Sequence, residues 1–237
     1  TIYKAAEKFY TSSKGHYGTR IIFDEKNYLY FSIGDRGKRK EAQSLTTPNG
    51  KIHRLNDDGS IPEDNPFVNQ KGAIKSIWTY GNRNPQGLAI NPKSSIIYET
   101  EHGPKGGDEL NILSKGNNYG WPEITYGKNY TGTKITNYTH KDGMEQPVIH
   151  WTPSIAVCGM DFYDGKVFNN WKNNLLVSSL KFENLYRLEI KNKKVIKQEL
   201  ILSAGSRVRD VETGPDGFIY LAVEDPGRII RLRPHKK

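Results

Sequence analysis

A histidine placed where a turn enters a strand is the first candidate for chemistry in this sequence. His16 lies in the segment Lys14–Arg20, directly before the apolar stretch Ile21–Phe23. Imidazole titrates near neutral pH, so a histidine held at a strand entrance can act as a general base. A solvent-exposed turn histidine is the alternative that this residue alone leaves open.

Basic side chains from separate stretches could recognise one anion. Arg83 and Asn84 lie side by side in GNRNPQG, Lys181 follows the predicted strand Leu175–Leu180, and Arg207 and Arg209 flank a valine. Residues two apart on a strand face the same side, so the two later guanidinium groups would repel each other unless an anion lay between them. A polycarboxylate fits better than a phosphate because no glycine-rich phosphate loop is present. Solvent-facing cations are the alternative.

The segment EHGPKGGDELN, residues 101–111, combines glycines with acidic residues. Calcium takes six to eight oxygen ligands, and these are a mixture of carbonyls and carboxylates. The carbonyls of Gly103 and Pro104, or the carboxylate of Glu109, could serve as such ligands. The spacing is not that of an EF-hand, so the segment alone is a weak indication of calcium.

The elements that must position these residues are predicted to be short strands. The 237 residues include 23 glycines, 12 prolines and 14 tyrosines, a balance that favours strands and turns. Two elements recur. The first is a turn followed by an aromatic strand, at 23–30, 91–98 and 214–220; the second is a strand ending in Arg-Leu, at 52–55, 185–188 and 230–232. Repeats of this kind predict an all-β β-propeller of about four blades, in one domain over residues 1–237, with a β-sandwich as the alternative.

Charge and composition exclude other classes. The formal net charge is +9, but the lysines are scattered and no RRM, KH, zinc-finger or helix-turn-helix pattern occurs, so we predict no nucleic-acid partner. The sequence contains no apolar run of about 18 residues, so it predicts no membrane span. The one cysteine, Cys158, lies in an apolar stretch and is interpreted as a buried, inert thiol.

Several motifs, taken in order, resemble one known family. These are IGDRG (33–37), GKIHRLNDDGSIPEDNPF (50–67), GNRNPQG (81–87), EHGPKGGDELN (101–111), GNNYGWP (116–122) and RVRD (207–210). They are similar to the glucose/sorbosone dehydrogenases, and within these to the soluble aldose sugar dehydrogenases that use pyrroloquinoline quinone (PQQ). The family fold is a six-bladed propeller, so the resemblance implies that about two N-terminal blades are missing from this chain.

The resemblance also implies roles for residues at matching positions. His16 would be the catalytic base for the sugar C1 hydroxyl, and Trp151 would line the sugar site. Gly103 and Pro104 would offer carbonyls to a cofactor-bound calcium, whereas Glu109 and the Tyr119 carbonyl would hold a separate structural calcium. The implied PQQ contacts are Arg83, Asn84, His102, Tyr130, Lys181, Arg207 and Arg209.

The function implied is oxidation of an aldose to its lactone by hydride transfer to PQQ with calcium assistance. An external electron acceptor and a periplasmic or secreted location are implied as well. Two alternatives remain open. One is a non-enzymatic propeller that binds a protein or glycan partner. The other is a calcium lactonase, which would need inward carboxylates where the candidates here are mostly basic.

Overall fold

The computed structural model describes residues 1–235, and within that range it is built almost wholly from strands. Fifteen strands are connected by loops and by three short 3-10 helices, which span Glu7–Phe9, Arg39–Gln43 and Asn169–Trp171. The strands form four separate antiparallel sheets.

Each sheet is a meander, in which consecutive strands along the chain are hydrogen-bonded neighbours. The first sheet contains β1 (Gly18–Phe23), β2 (Leu29–Ile33), β3 (Lys51–Leu55) and β4 (Ile77–Tyr80). The second contains β5 (Pro85–Ile90), β6 (Ile97–Glu101), β7 (Asp108–Ile112) and β8 (Ile149–Trp151). The third contains β9 (Val157–Phe162), β10 (Leu175–Ser179), β11 (Asn184–Lys191) and β12 (Lys194–Ser203). The fourth contains β13 (Val208–Thr213), β14 (Ile219–Val223) and β15 (Arg228–Leu232).

The sheets are arranged around an axis lined by the first strand of each. Strand β1 contacts β5, β5 contacts β9, and β9 contacts β13. Arg20 of β1 forms an ion pair with Asp210 of β13, which links the first and last sheets across this axis. Radial sheets whose inner strands adjoin are the blades of a propeller. The predicted all-β propeller with about four blades is therefore confirmed, and the sandwich alternative is wrong.

Apolar side chains fill the three spaces between neighbouring sheets. One core cluster lies between the first and second sheets, a second between the second and third, and a third between the third and fourth. Strand β14 shows how the sequence produces this packing, because Ile219, Leu221 and Val223 are buried while the residues between them are partly exposed. Side chains alternate across a strand, so this spacing directs every second residue into the core.

The recurring sequence elements occupy equivalent places in the blades. Each aromatic element leads into the second strand of its sheet, namely β2, β6 and β14, and each Arg-Leu element forms a third strand, namely β3, β11 and β15. The β11–β12 hairpin turns at Asn192 and Lys193, both with positive φ (50° and 61°), as a tight two-residue hairpin turn requires.

The structure also bears on the predictions about the cysteine and about membrane spans. Cys158 is fully buried, as predicted, and burial raises the pKa of its thiol, which disfavours the reactive thiolate. Within residues 1–235 no helix is long and apolar enough to cross a membrane.

Candidate active site

His16 is held by a buried carboxylate that the sequence analysis did not select. Its Nδ1 lies 2.6 Å from Oδ1 of Asp35, and Asp35 is fully buried in the loop after β2. His16 has a positive φ of 54°. The neighbouring Gly34 is required here, because a Cβ at that position would lie 2.1 Å from the carbonyl oxygen of His16.

The hydrogen bonds on Asp35 define which imidazole nitrogen is free. Burial alone would raise the pKa of Asp35, but hydrogen bonds from His16, the Gly37 N–H and the Trp121 indole outweigh it and hold the pKa below its ordinary value. An ionised carboxylate only accepts, so the Nδ1 of His16 must carry the proton in this contact. The Nε2 lone pair is then available to take a proton from a substrate.

The segment that carries Arg83 and Asn84 is fixed from both sides. The buried Glu101 accepts hydrogen bonds from both backbone N–H groups, at 2.5 and 3.3 Å. The Arg83 carbonyl accepts from the Asp35 N–H at 2.7 Å. One guanidinium nitrogen of Arg83 donates to the carbonyls of His102 (2.9 Å) and Gly103 (2.8 Å). Arg83 therefore connects the His16–Asp35 pair to the loop after β6.

A chain of side-chain hydrogen bonds extends from Asn84 toward the last sheet. The Asn84 Oδ1 accepts from the Gly18 N–H at 3.0 Å and from the Gln86 amide at 3.1 Å. The Gln86 Oε1 in turn accepts from the Arg209 guanidinium at 3.4 Å. The predicted residues His16, Arg83, Asn84 and Arg209 are thus brought into one connected set.

Arg207 and Arg209 do face the same side, but a carboxylate balances them. Glu224, which follows β14, forms ion pairs with both guanidinium groups. Asp210 is likewise paired with Arg20. Carboxylates therefore compensate these arginines. The paired residues are 15 to 190 positions apart in the sequence, so no local sequence signal indicates the pairs.

A cavity of about 670 Å³ opens between the loops that follow β6, β7 and β8. Five predicted residues line it, namely His102, Gly103, Pro104, Tyr130 and Lys181. Lys105 and Lys128 add two further cations, and the described residues that line the cavity include no carboxylate. This volume is within the usual range for small-ligand sites, and the charges favour an anion.

Asp108 holds two walls of this cavity in place. Its Oδ1 accepts from the Gly103 N–H at 3.0 Å, and its Oδ2 accepts from the Ala156 N–H at 2.6 Å. The Ser154 hydroxyl donates to both oxygens. Asp108 is fully buried, so we interpret it as a scaffold of the cavity.

His102, which lines this cavity, has one ring nitrogen without a hydrogen-bond partner among residues 1–235. Its Nε2 is buried and has no hydrogen-bond partner within the described residues. Burial lowers the pKa of His102 to about 4, although the charge of Asp108 opposes the shift. The imidazole is therefore neutral at pH 7, and a buried polar atom without a partner is a place where a ligand can bind.

Three glutamates lie close together, with Glu101 against the backbone of Arg83. Glu99 and Glu101 are buried, and Glu109 is partly buried. Burial raises the pKa of Glu101 to about 7, against the hydrogen bonds from Arg83 and Asn84. Burial also raises the pKa values of Glu99 and Glu109 well above their ordinary range, and the charge of Glu101 adds to both shifts. Carboxylates in such a setting are stabilised by protonation or by an added positive charge.

A small void adjoins these glutamates. It has a volume of about 10 Å³ and is lined by Glu101, Glu109, Tyr119 and Gly103 among others, and such a volume suits a single water or ion. Within residues 1–235, no group of three or more His, Cys, Asp or Glu side chains has a geometry that could hold a metal ion. Any ion here would therefore need carbonyl ligands as well.

The side chain of Trp151 lies in the core and does not line the cavity. It is a member of the core cluster between the second and third sheets, and its indole donates to Gln198 at 3.0 Å. Its neighbours Thr152, Pro153 and Ser154 line the cavity instead.

The radial sheets define a β-propeller, and comparison with known proteins gives its family. The family model for glucose/sorbosone dehydrogenase matches residues 1–231. The chain therefore belongs to the glucose/sorbosone dehydrogenase family.

Individual relatives agree with this assignment. The chain is 44% identical to aldose sugar dehydrogenase YliI of Escherichia coli over 99% of its own length and 64% of that protein. It is 29% identical to quinoprotein glucose dehydrogenase B of Acinetobacter calcoaceticus, covering 92% of the chain and 61% of that protein. The chain thus spans less than two thirds of these relatives.

Solved structures agree as well. The apo form of the soluble aldose sugar dehydrogenase from Escherichia coli superimposes with a TM-score of 0.94 at 41% identity, covering 99% of this chain and 68% of that one. The PQQ-bound aldose sugar dehydrogenase from Streptomyces coelicolor gives a TM-score of 0.73 at 28% identity, covering 91% and 61%.

Proposed function

We propose that this chain is part of a PQQ-dependent aldose sugar dehydrogenase that oxidises the C1 hydroxyl of an aldose to a lactone. The observation that carries the proposal is the connected set of hydrogen bonds from His16 and Asp35 to Arg83, beside a cavity lined by lysines. Relatives named as aldose sugar dehydrogenase and quinoprotein glucose dehydrogenase support it. Because the chain spans less than two thirds of those relatives, the activity of the whole protein is part of the proposal.

The residues present fit a multiply anionic quinone. PQQ carries several carboxylates, and three lysines line the cavity. His102 lines it as well, and its buried Nε2 has no hydrogen-bond partner within the described residues. Arg83 reaches the same region through its hydrogen bonds to His102 and Gly103. We propose that PQQ is held by the predicted residues Arg83, Asn84, His102, Tyr130, Lys181, Arg207 and Arg209.

The chain supplies the proton chemistry. Asp35 orients the imidazole of His16 so that Nε2 takes the proton of the C1 hydroxyl. The positive charge that develops on the imidazole lies against the Asp35 carboxylate, which stabilises it. Bound PQQ would accept the hydride that leaves C1.

Calcium is the second group that we propose. The carbonyls of Gly103 and Pro104 border the cavity and would offer oxygens to a cofactor-bound ion. The Gly103 carbonyl already accepts from Arg83, but a carbonyl oxygen has a second lone pair. Glu109 and the Tyr119 carbonyl would hold a structural ion at the small void, where a divalent cation would compensate the buried carboxylates.

The remaining parts of the proposal concern the cellular location, the electron acceptor and Trp151. We propose a periplasmic or secreted protein that passes electrons to an external acceptor. We also propose that Trp151 influences the sugar site, although through the cavity wall that follows it, because its own side chain lies in the core.

A titration tests the proposed function. PQQ is added to the protein in the presence of calcium while the absorbance of the quinone is followed, and dye reduction is then measured with aldoses. We expect a saturable spectral change and dye reduction that requires both PQQ and an aldose. Absence of a saturable change, or PQQ binding without oxidation of any aldose, contradicts the proposal.

Calcium should stabilise the protein through Glu109. At a calcium concentration near 100 times Kd, we expect about 2.7 kcal/mol of stabilisation, or a Tm increase of roughly 5–10 °C for a chain of this size. Glu109→Gln should lose most of this increase in a thermal melt with and without calcium. The matched control is Glu123→Gln, because Glu123 is half exposed and pairs only with Lys141. An equal calcium response in the wild type and Glu109→Gln would show that the ion binds elsewhere.

A further inference from the structure

Trp121 connects the two halves of the proposed active site. It is only 4% exposed, and its indole Nε1 donates to Oδ2 of Asp35 at 2.8 Å. The other oxygen of that carboxylate, Oδ1, accepts from the Nδ1 of His16 at 2.6 Å and from the Gly37 N–H at 2.8 Å. The indole is therefore the partner of the Asp35 oxygen that does not face the histidine.

The ring of Trp121 also lies against the side chain of Arg83, one of the proposed PQQ-binding residues. The guanidinium carbon of Arg83 is 5.3 Å from the ring centroid, and that of Arg39 is 5.5 Å from it. Both distances allow a cation–π interaction. One guanidinium nitrogen of Arg83 also donates to two carbonyls. The ring and these hydrogen bonds together limit where the guanidinium can move.

The backbone fixes Trp121 itself. Its N–H donates to the Gly81 carbonyl at 2.8 Å, and its carbonyl accepts from the Gln43 amide at 2.8 Å. Gly81 immediately precedes the Asn82–Arg83–Asn84 stretch. Trp121 is therefore attached through its backbone to the same segment whose Arg83 side chain its ring contacts.

We propose that Trp121 is a positioning residue, whose indole N–H fixes the Asp35 carboxylate toward His16 while its ring supports the Arg83 guanidinium. This inference rests on the proposed function. A buried carboxylate oxygen without a partner is strongly disfavoured. Without the indole, Oδ2 would be buried without a partner, so the carboxylate would no longer be fixed in the orientation in which Oδ1 accepts from His16.

Two substitutions separate the two contacts. Trp121→Phe retains a ring beside Arg83 but removes the N–H, whereas Trp121→Leu removes both. For Trp121→Phe we expect kcat to fall about tenfold, the effect of losing one hydrogen bond to a charged group. The sugar KM and the PQQ affinity should stay within about twofold. Trp121→Leu should weaken PQQ binding as well.

Trp171→Phe is the matched control. Trp171 stacks on Phe168 and packs against the core cluster between the third and fourth sheets. Within residues 1–235, neither the stack nor that cluster includes a residue assigned to the site. Trp171→Phe should leave kcat, KM and PQQ affinity unchanged. Its thermal melt shows how much a Trp-to-Phe change lowers Tm at a position outside the site.

A measurement without cofactor distinguishes positioning from a merely structural role. The Nδ1 proton of His16, in its short contact with Asp35, should give a downfield NMR signal that exchanges slowly with water and disappears in His16→Gln. In Trp121→Phe, we expect this proton to exchange about tenfold faster. Wild-type exchange and wild-type kcat in that variant would overturn the inference. If the wild type binds no PQQ, the proposed function fails, yet the exchange measurement still decides whether Trp121 orients His16.

Discussion

His16→Gln is expected to lower kcat by about 10³-fold while PQQ still binds with an affinity close to that of the wild type. A positioned general base contributes roughly 10²–10⁴-fold. Glutamine can retain a hydrogen bond to Asp35 but cannot accept the proton of the C1 hydroxyl at neutral pH. Because the lost interaction is made in the transition state, kcat and kcat/KM should fall together. Steady-state dye reduction over a range of aldose concentrations measures both.

The control for this variant is His150→Gln. His150 is exposed and stacks on Tyr126 at a centroid distance of 3.8 Å, outside the hydrogen-bonded set that contains His16. It should keep full activity. If His16→Gln retained more than about a tenth of the wild-type kcat while binding PQQ normally, another group would have to be the base.

Much of the fold was predictable because the strands of a blade are indicated by short, local sequence patterns. Aromatic residues after a turn and Arg-Leu pairs mark the second and third strands of the blades, as Tyr98 in β6 and Arg187 in β11 illustrate. Side-chain alternation then determines which face is buried. These patterns involve residues within about ten positions of one another, so they indicate the strands without any long-range contact being known.

The site was only partly predictable for the opposite reason. Asp35 and Trp121 are 86 residues apart, yet they share a hydrogen bond, and Glu224 pairs with two arginines that precede it by at least 15 residues. Asp35 does lie in the IGDRG segment that carried part of the family resemblance. Its place between Gly34 and Gly37 in that segment is a local indication of a partner for His16. Nothing local indicates that Trp121 completes the contact.

Arg83→Lys should weaken PQQ binding by about 100-fold, and it tests the electrostatic part of the proposal. The guanidinium of Arg83 is nearly buried and donates from one nitrogen to two carbonyls, which leaves other N–H groups for a ligand. An ammonium group has the same charge but cannot supply that planar fork to both sides. Hydrogen bonds to charged groups are each stabilising by about 1.5–3 kcal/mol, which corresponds to one to two orders of magnitude in Kd.

Arg187→Lys is the matched control for this change, since Arg187 is similarly buried and pairs with Glu199 in the third sheet, away from the cavity. Thermal melts of both variants separate a loss of folding from a loss of binding. Absorbance titration then gives the PQQ affinity of each. An affinity of Arg83→Lys within about twofold of the wild type would mean that charge alone holds the cofactor. In that case the lysines of the cavity wall, and not the fork of Arg83, would carry its recognition.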